Sequence, residues 1–182
     1  MTIDENKIQE HIGQSFSVTK ESGVTKLTFT DNGFFIDNKG YYSDIFLGKC
    51  DTCDPYKTFF EGFSYDKVLV AGLGLGLLPQ TLASEGCSVV DVLEINEELI
   101  AWTAQSGHLD PSINIVQGDV YTYKTDAKYD LIIVDTIWEP SEMTPQQQEI
   151  IKTSFNPTTL NHEGRLYFPV LSAMIDRLPS ED

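Results

Sequence analysis

The spacing of apolar positions changes once along the chain, near residue 63. Before that point the period is two. Residues 15–19 and 24–30 alternate, separated by a Glu21-Ser22-Gly23 turn. Asp31-Asn32-Gly33 reads as a hairpin turn, residues 34–37 as a short strand, and Asn38-Lys39-Gly40 as a second turn. Together they predict a small antiparallel meander. Residues 41–47 lead the chain back, and residues 48–62 form a loop with room for a helical turn, anchored onto the larger domain by Tyr56, Phe59, Phe60 and Phe63. Ahead of the meander, residues 1–14 read either as a short helix, with Ile3, Ile8 and Ile12 on roughly one side, or as a frayed tail.

From Tyr65 onward the pattern is α/β, with apolar runs separated by helical stretches. Strands are expected at 67–71, 88–94, 112–117, 129–135 and 164–170. Helices are expected at 77–85 and 96–106, with Asn96 as an N-cap and Trp102 in the core. A further helix opens at Thr144-Pro145, the threonine as N-cap and the proline at the first helical position. Residues 129–135 are apolar without alternation, as in a central strand covered on both faces.

The first of these strands runs straight into Gly72-Leu73-Gly74-Leu75-Gly76. Glycine is suited to such a turn because a side chain would keep a ligand from the backbone and because φ is positive in many such turns. The second strand ends in Glu94, about 20 residues downstream, where a carboxylate can accept hydrogen bonds from both hydroxyls of a ribose. The dinucleotide fingerprint would place its third small residue at Leu77, whereas here the third glycine is Gly76. That offset favours the S-adenosylmethionine type of turn over the NAD type. The third and fourth strands also end in acidic groups, Gly118-Asp119 and Asp135. In an open α/β sheet the ligand crevice lies at the carboxyl ends of the strands, so these carboxylates are expected to converge beside the glycine turn. The expected organisation is a meander and linker over residues 1–62 and a Rossmann-like nucleoside-binding domain over 63–182.

Composition narrows the partners. The formal net charge is −16, with 41% hydrophobic and 22% charged residues. These are globular values, and the acidic balance argues against nucleic acid or an anionic membrane while suiting a cationic small molecule. The N-terminus lacks the apolar segment of a signal peptide, and no run reaches the length of a membrane span. With three cysteines, a reduced cytoplasmic protein is the simplest expectation. Cys50-Asp51-Thr52-Cys53 has no second CxxC, and the three histidines show no ligand spacing, so no metal is expected. No G-x-S-x-G nucleophile elbow is present, which counts against a hydrolase.

Taken together, the meander, the glycine turn led by Val70, the segments VLEIN and GDVYTY, and YDLIIVDTIWEP resemble the spermidine synthase branch of the class I S-adenosylmethionine-dependent methyltransferase superfamily. The resemblance covers most of residues 15–170. It implies a Rossmann-like methyltransferase fold with a mostly parallel sheet, here without the closing C-terminal β-hairpin. It implies a donor, S-adenosylmethionine or decarboxylated S-adenosylmethionine, held by Gly72, Gly74, Gly76, Glu94, Gly118 and Asp119. Glu94 would take the ribose hydroxyls and Asp119 the adenine amino group. Asp135 would be the general base, removing a proton from an attacking amine, with Tyr42, Asp44 and Glu139 lining the acceptor pocket. The chain departs from the family where the glycine turn usually carries an aspartate, here Leu75. It departs again at Tyr42-Ser43-Asp44, where a glutamine is lost, and after Asp135, where the motif is one residue longer.

The expected function is therefore transfer of a methyl or aminopropyl group to a small, cationic acceptor, with dimerisation along the edge strand at 164–170. The alternatives are a non-catalytic nucleoside-binding or assembly module that has lost the substrate half of the site, and an NAD- or nucleotide-linked enzyme.

Overall fold

A computed structural model of the chain describes residues 3–33, 35–37, 64–136, 144–155 and 159–168. The described elements form two sheets and three helices. The small sheet is antiparallel, in the order β1 (His11–Ile12), β2 (Phe16–Glu21), β3 (Val24–Phe29) and β4 (Phe35–Asp37). Glu21 pairs with Val24, so Ser22-Gly23 is a two-residue hairpin loop. Both residues have positive φ, 51° and 78°, as the type I′ turn that matches strand twist requires.

The main sheet contains β5 (Lys67–Ala71), β6 (Val89–Glu94), β7 (Asn114–Gln117), β8 (Tyr129–Val134) and β9 (Leu160–Tyr167). All are parallel, in the order β7-β6-β5-β8-β9. The order reverses between β5 and β8, which is where a ligand crevice opens in such sheets. Val68–Ala71 and Leu131–Val134 are buried along their whole length. Their odd and even positions feed two cores. Val68, Val70, Leu131 and Ile133 pack with α1 (Leu77–Ser84), α2 (Glu97–Ser106) and the small sheet. Leu69, Ala71, Ile132 and Val134 pack on the other face with Ile151 and Phe155 of α3 (Pro145–Phe155). The fold class is thus α/β, with a mostly parallel central sheet and a small antiparallel one.

Local signals set the helix ends. Asn96 caps α2 by accepting the Leu99 N–H at 3.0 Å, and Gly107 ends it in the left-handed region. Thr144 and Gln147 form a reciprocal capping box at the start of α3, the Gln147 side chain accepting the Thr144 N–H at 2.9 Å. Trp102 is buried, as expected.

Two expectations are corrected. The segment before the meander is not a helix: residues 5–7 form a turn and β1 follows. Ile3 and Ile8 enter the core, but Ile12 is 93% exposed. Tertiary partners hold this backbone instead, the Trp102 indole donating to the Gln9 carbonyl at 3.3 Å and the Asp4 N–H to the His108 carbonyl at 3.2 Å. Strand β9 begins at Leu160, earlier than its apolar residues suggest. Its register shifts opposite Tyr129 and Leu131, and Gly164 lies where a Cβ would sit 2.9 Å from the Tyr129 carbonyl oxygen. This irregularity lets a polar stretch pair at the sheet edge. The expected elements at 41–47 and 48–62, the CxxC and the residues after Phe168 lie outside the described residues. The expectation about the closing C-terminal hairpin falls there too.

Candidate functional site

At the carboxyl edge of the main sheet, across the reversal in strand order, lies a cavity of about 350 Å³. That is at the small end of the range for small-molecule sites, roughly 300–1,000 Å³. Its walls come from the tips of four neighbouring strands and from the β3–β4 hairpin.

The tip of β5 supplies Gly72, Leu73 and Gly74. Gly72 has φ 107°, and a Cβ there would lie 2.2 Å from the Asp135 carbonyl oxygen. Only glycine lets the ends of β5 and β8 approach this closely. The approach is sealed by the Asp135 N–H donating to the Ala71 carbonyl at 2.7 Å. Gly74 touches the small sheet, a Cβ there falling 2.8 Å from Ile36. Gly76 does not line the cavity; it is the N-cap of α1 and packs against Leu109.

The tip of β6 supplies Glu94, 8% exposed. Its Oε2 accepts the Leu73 N–H at 2.9 Å and its Oε1 the Asn96 N–H at 2.8 Å. The carboxylate thereby ties the glycine loop to the start of α2. Each oxygen keeps a further lone pair for a ligand hydroxyl. Ile95, 65% exposed, offers an apolar surface beside it.

The tip of β7 supplies Gly118 and Asp119. The Gly118 N–H donates to the Glu94 carbonyl at 2.9 Å, and Asp119 Oδ1 accepts the Tyr121 N–H at 2.9 Å. The resulting turn fixes the Asp119 carboxylate at the cavity wall, and Tyr121 lines the same wall.

The tip of β8 supplies Asp135 and Thr136. Asp135 Oδ1 and Thr136 Oγ1 are both shut off from solvent, and neither has a hydrogen-bond partner among the described residues. Burial pushes the Asp135 carboxyl up to about 7. A carboxyl group with that affinity for protons is poised to exchange one near neutrality.

Six of the seven expected donor-binding and base residues therefore line one cavity, and Gly76 stands behind it. Tyr42, Asp44 and Glu139 lie outside the described residues. Sequence reasoning missed the contribution of Phe29, Asp31 and Asn32, which bring the hairpin turn into the cavity wall. The turn itself was legible, but nothing local says which way a hairpin will lean. The described lining carries four carboxylates (Asp31, Glu94, Asp119, Asp135) and no Lys, Arg or His. Such a lining favours a cationic occupant.

Among the described residues no group of acidic, cysteine and histidine side chains could hold a metal ion, and no helix is long and apolar enough to cross a membrane. Cys87 is half-buried, and burial raises its thiol to about 11, which keeps it protonated and unreactive.

No protein-family model matches the chain, and no curated protein matches it in sequence. Solved structures do match in shape. One is the glycopeptide N-methyltransferase MtfA complexed with sinefungin, 17% identical, covering 70% of this chain and 54% of the other, with a TM-score of 0.52. The same enzyme complexed with S-adenosylmethionine is 18% identical, with 70% and 55% covered and a TM-score of 0.50. A third is a complex of DhpI with S-adenosylhomocysteine, 19% identical, with 70% and 60% covered and a TM-score of 0.49. The chain spans about half the length of the solved structures it matches. At this identity the likeness to MtfA establishes the fold alone, a Rossmann-like α/β fold with a mostly parallel sheet.

Proposed function

We propose that this chain acts as an S-adenosylmethionine-type transferase, with Asp135 as the general base toward a small, cationic amine acceptor. The observation that carries the reading is the position of Asp135: a carboxyl raised to about 7, its Oδ1 unpartnered among the described residues, in the same cavity as Glu94, Asp119 and the glycine loop.

The residues fit an adenosyl thioether. Glu94 is held rigid by two backbone amides yet retains lone pairs for ribose hydroxyls. Ile95 offers a face for the base, and Asp119 an acceptor for its amino group. When bound, the donor supplies a carbon already activated by a sulfonium. An ammonium acceptor is not a nucleophile until it loses a proton, and Asp135 takes that proton. Binding donor and acceptor together beside Asp135 and Thr136 would align them for in-line attack, and the translational freedom given up on binding lowers the barrier. In this reading residues 63–182 are the nucleoside-binding unit, the meander supplies the hairpin wall, and β9 is the edge along which two copies pair.

Between methyl and aminopropyl transfer, two features pull apart. Leu75 is buried and apolar where the resembling family keeps an aspartate for a free amine, which favours intact S-adenosylmethionine. Asp31 brings a carboxylate into the cavity from the hairpin, which favours a donor or acceptor with a further amine. Calorimetric titration with S-adenosylmethionine, decarboxylated S-adenosylmethionine, methylthioadenosine and NAD tests the reading. Binding of an adenosyl thioether together with transfer to an amine such as putrescine supports it. Binding without transfer leaves a non-catalytic nucleoside module, and binding of NAD alone refutes it.

A further inference from the structure

The glycine loop has two halves. Residues 72–74 line the cavity, whereas Leu75 and Gly76 turn away from it into the α2–β7 connection. That connection contacts the loop and the helix after it at three successive residues. His108 Nε2 lies 3.1 Å from the Leu75 carbonyl oxygen. Leu109 fills the space where a Gly76 Cβ would stand, 2.5 Å away. The Asp110 N–H donates to Gln80 Oε1 of α1 at 2.7 Å.

His108 is 2% exposed and packs beside Trp102, ring centroids 5.2 Å apart. A carbonyl oxygen can only accept, so Nε2 must carry the proton. The neutral ring then accepts at Nδ1 from the Ser106 hydroxyl, 2.5 Å away, in preference to the Thr103 carbonyl oxygen, which lies 3.1 Å from the same hydroxyl. Burial favours the neutral form and lowers the affinity of the ring for a second proton.

We propose that His108 is a positioning residue for the cavity: its Nε2–H holds the Leu75 carbonyl and so sets the path of the glycine loop, presenting Gly72 to Gly74 to the ligand. The inference rests on the transferase reading for what the loop receives, but the grip itself belongs to the free protein.

The test exploits a pair of amide substitutions. A glutamine amide nitrogen overlays the imidazole Nε2 and can still donate to Leu75, whereas an asparagine amide overlays Nδ1 and cannot. Hydrogen exchange on the ligand-free protein reads the loop through the Leu73 and Gly76 amides, which donate to Glu94 Oε2 and to the Leu73 carbonyl. His108→Gln is expected to stay within about twofold of wild type. His108→Asn and His108→Leu are expected to exchange about tenfold faster at those two amides, the consequence of one buried unpaired carbonyl, with β5 and β8 amides unchanged. Affinity for S-adenosylhomocysteine should follow the same order. Asn protecting the loop as well as Gln, or faster exchange spread evenly over the sheet, overturns the proposal. In the wild-type protein, nitrogen NMR must show the Nε2–H tautomer; an Nδ1–H ring overturns it without any variant. Failure of wild type to bind any adenosyl ligand would refute the transferase reading, while exchange still decides the grip.

Discussion

The two ends of the main sheet carry carboxylates in similar numbers and treat them in opposite ways. Toward the amino end, each is consumed by local partners. Asp66 accepts the Ser88 N–H at 2.8 Å and the Ser88 hydroxyl at 2.5 Å. Asp91 accepts the Tyr129 hydroxyl at 2.6 Å and the Asn114 amide at 2.9 Å. Asp130 accepts the Lys67 and Asp66 amides at 2.9 Å and 3.0 Å, and Asn161 as well. At the carboxyl end, Glu94 and Asp119 are oriented by backbone amides but face a cavity, and Asp135 has an oxygen with no partner among the described residues. Acids at the first end act as staples between strands. Acids at the second border an open cavity. Where a carboxylate faces, rather than how many hydrogen bonds it accepts, separates the two ends: Glu94, Asp119 and Asp135 line the cavity, and Asp66, Asp91 and Asp130 do not.

The sharpest break of this comparison is Asp135→Asn. Turnover should fall by about 100-fold or more, the contribution typical of a general base, with donor affinity within about threefold. Unchanged turnover in a product assay would remove Asp135 from the chemistry. The same variant carries a pH signature. Because folding raises the Asp135 carboxyl to about 7, the folded protein holds a proton there that the unfolded chain releases at lower pH. Its contribution to stability is therefore fully present below the unfolded value and is lost as pH rises through about 7. Asp135→Asn should gain on wild type between pH 4 and pH 8 by a few kcal/mol, at about 1.4 kcal/mol per pH unit of raised affinity. Thermal melts across that range check it.

Glu94→Ala comes next. It leaves the Leu73 and Asn96 amides without their acceptor, and a destabilisation of about 2 kcal/mol is expected beside the loss of adenosyl binding. Denaturant midpoints and titration calorimetry separate the two effects. At the other end of the sheet, Asp130→Asn should leave turnover unchanged and cost under about 1 kcal/mol, since the group is largely solvated. A loss of activity there would erase the contrast between the two ends.

The smallest effect is expected at Glu98, which lies in neither set. The Ser15 hydroxyl and N–H, His11 and the Gln14 N–H pull its carboxyl down to about 2, and so join the small sheet to α2. A lowered value means the contribution is present above the ordinary carboxylate range and is lost as pH falls toward 2. Glu98→Gln should speed exchange of the Gln14 and Ser15 amides at neutral pH and leave β5 and β8 untouched.

Much of this was open to inspection in the chain itself. Hydrophobic periods of two and then of buried strand and helix laid out the meander and the α/β order. The glycine turn, Glu94, Asp119 and Asp135 could be read because strand ends are local events, marked by the residues on either side. What sequence could not supply was the relation between distant segments. The backbone of residues 3–14 abandons its helical spacing because Trp102 and His108, far along the chain, offer its amides and carbonyls better partners. Asp31 and Asn32 reach the cavity because β4 docks Ile36 on Gly74. The loneliness of Asp135 and the grip of His108 on Leu75 are likewise products of packing. Periodicity and turn chemistry act over a few residues and are written locally; burial and the pairing of polar atoms are set by whatever the fold brings alongside.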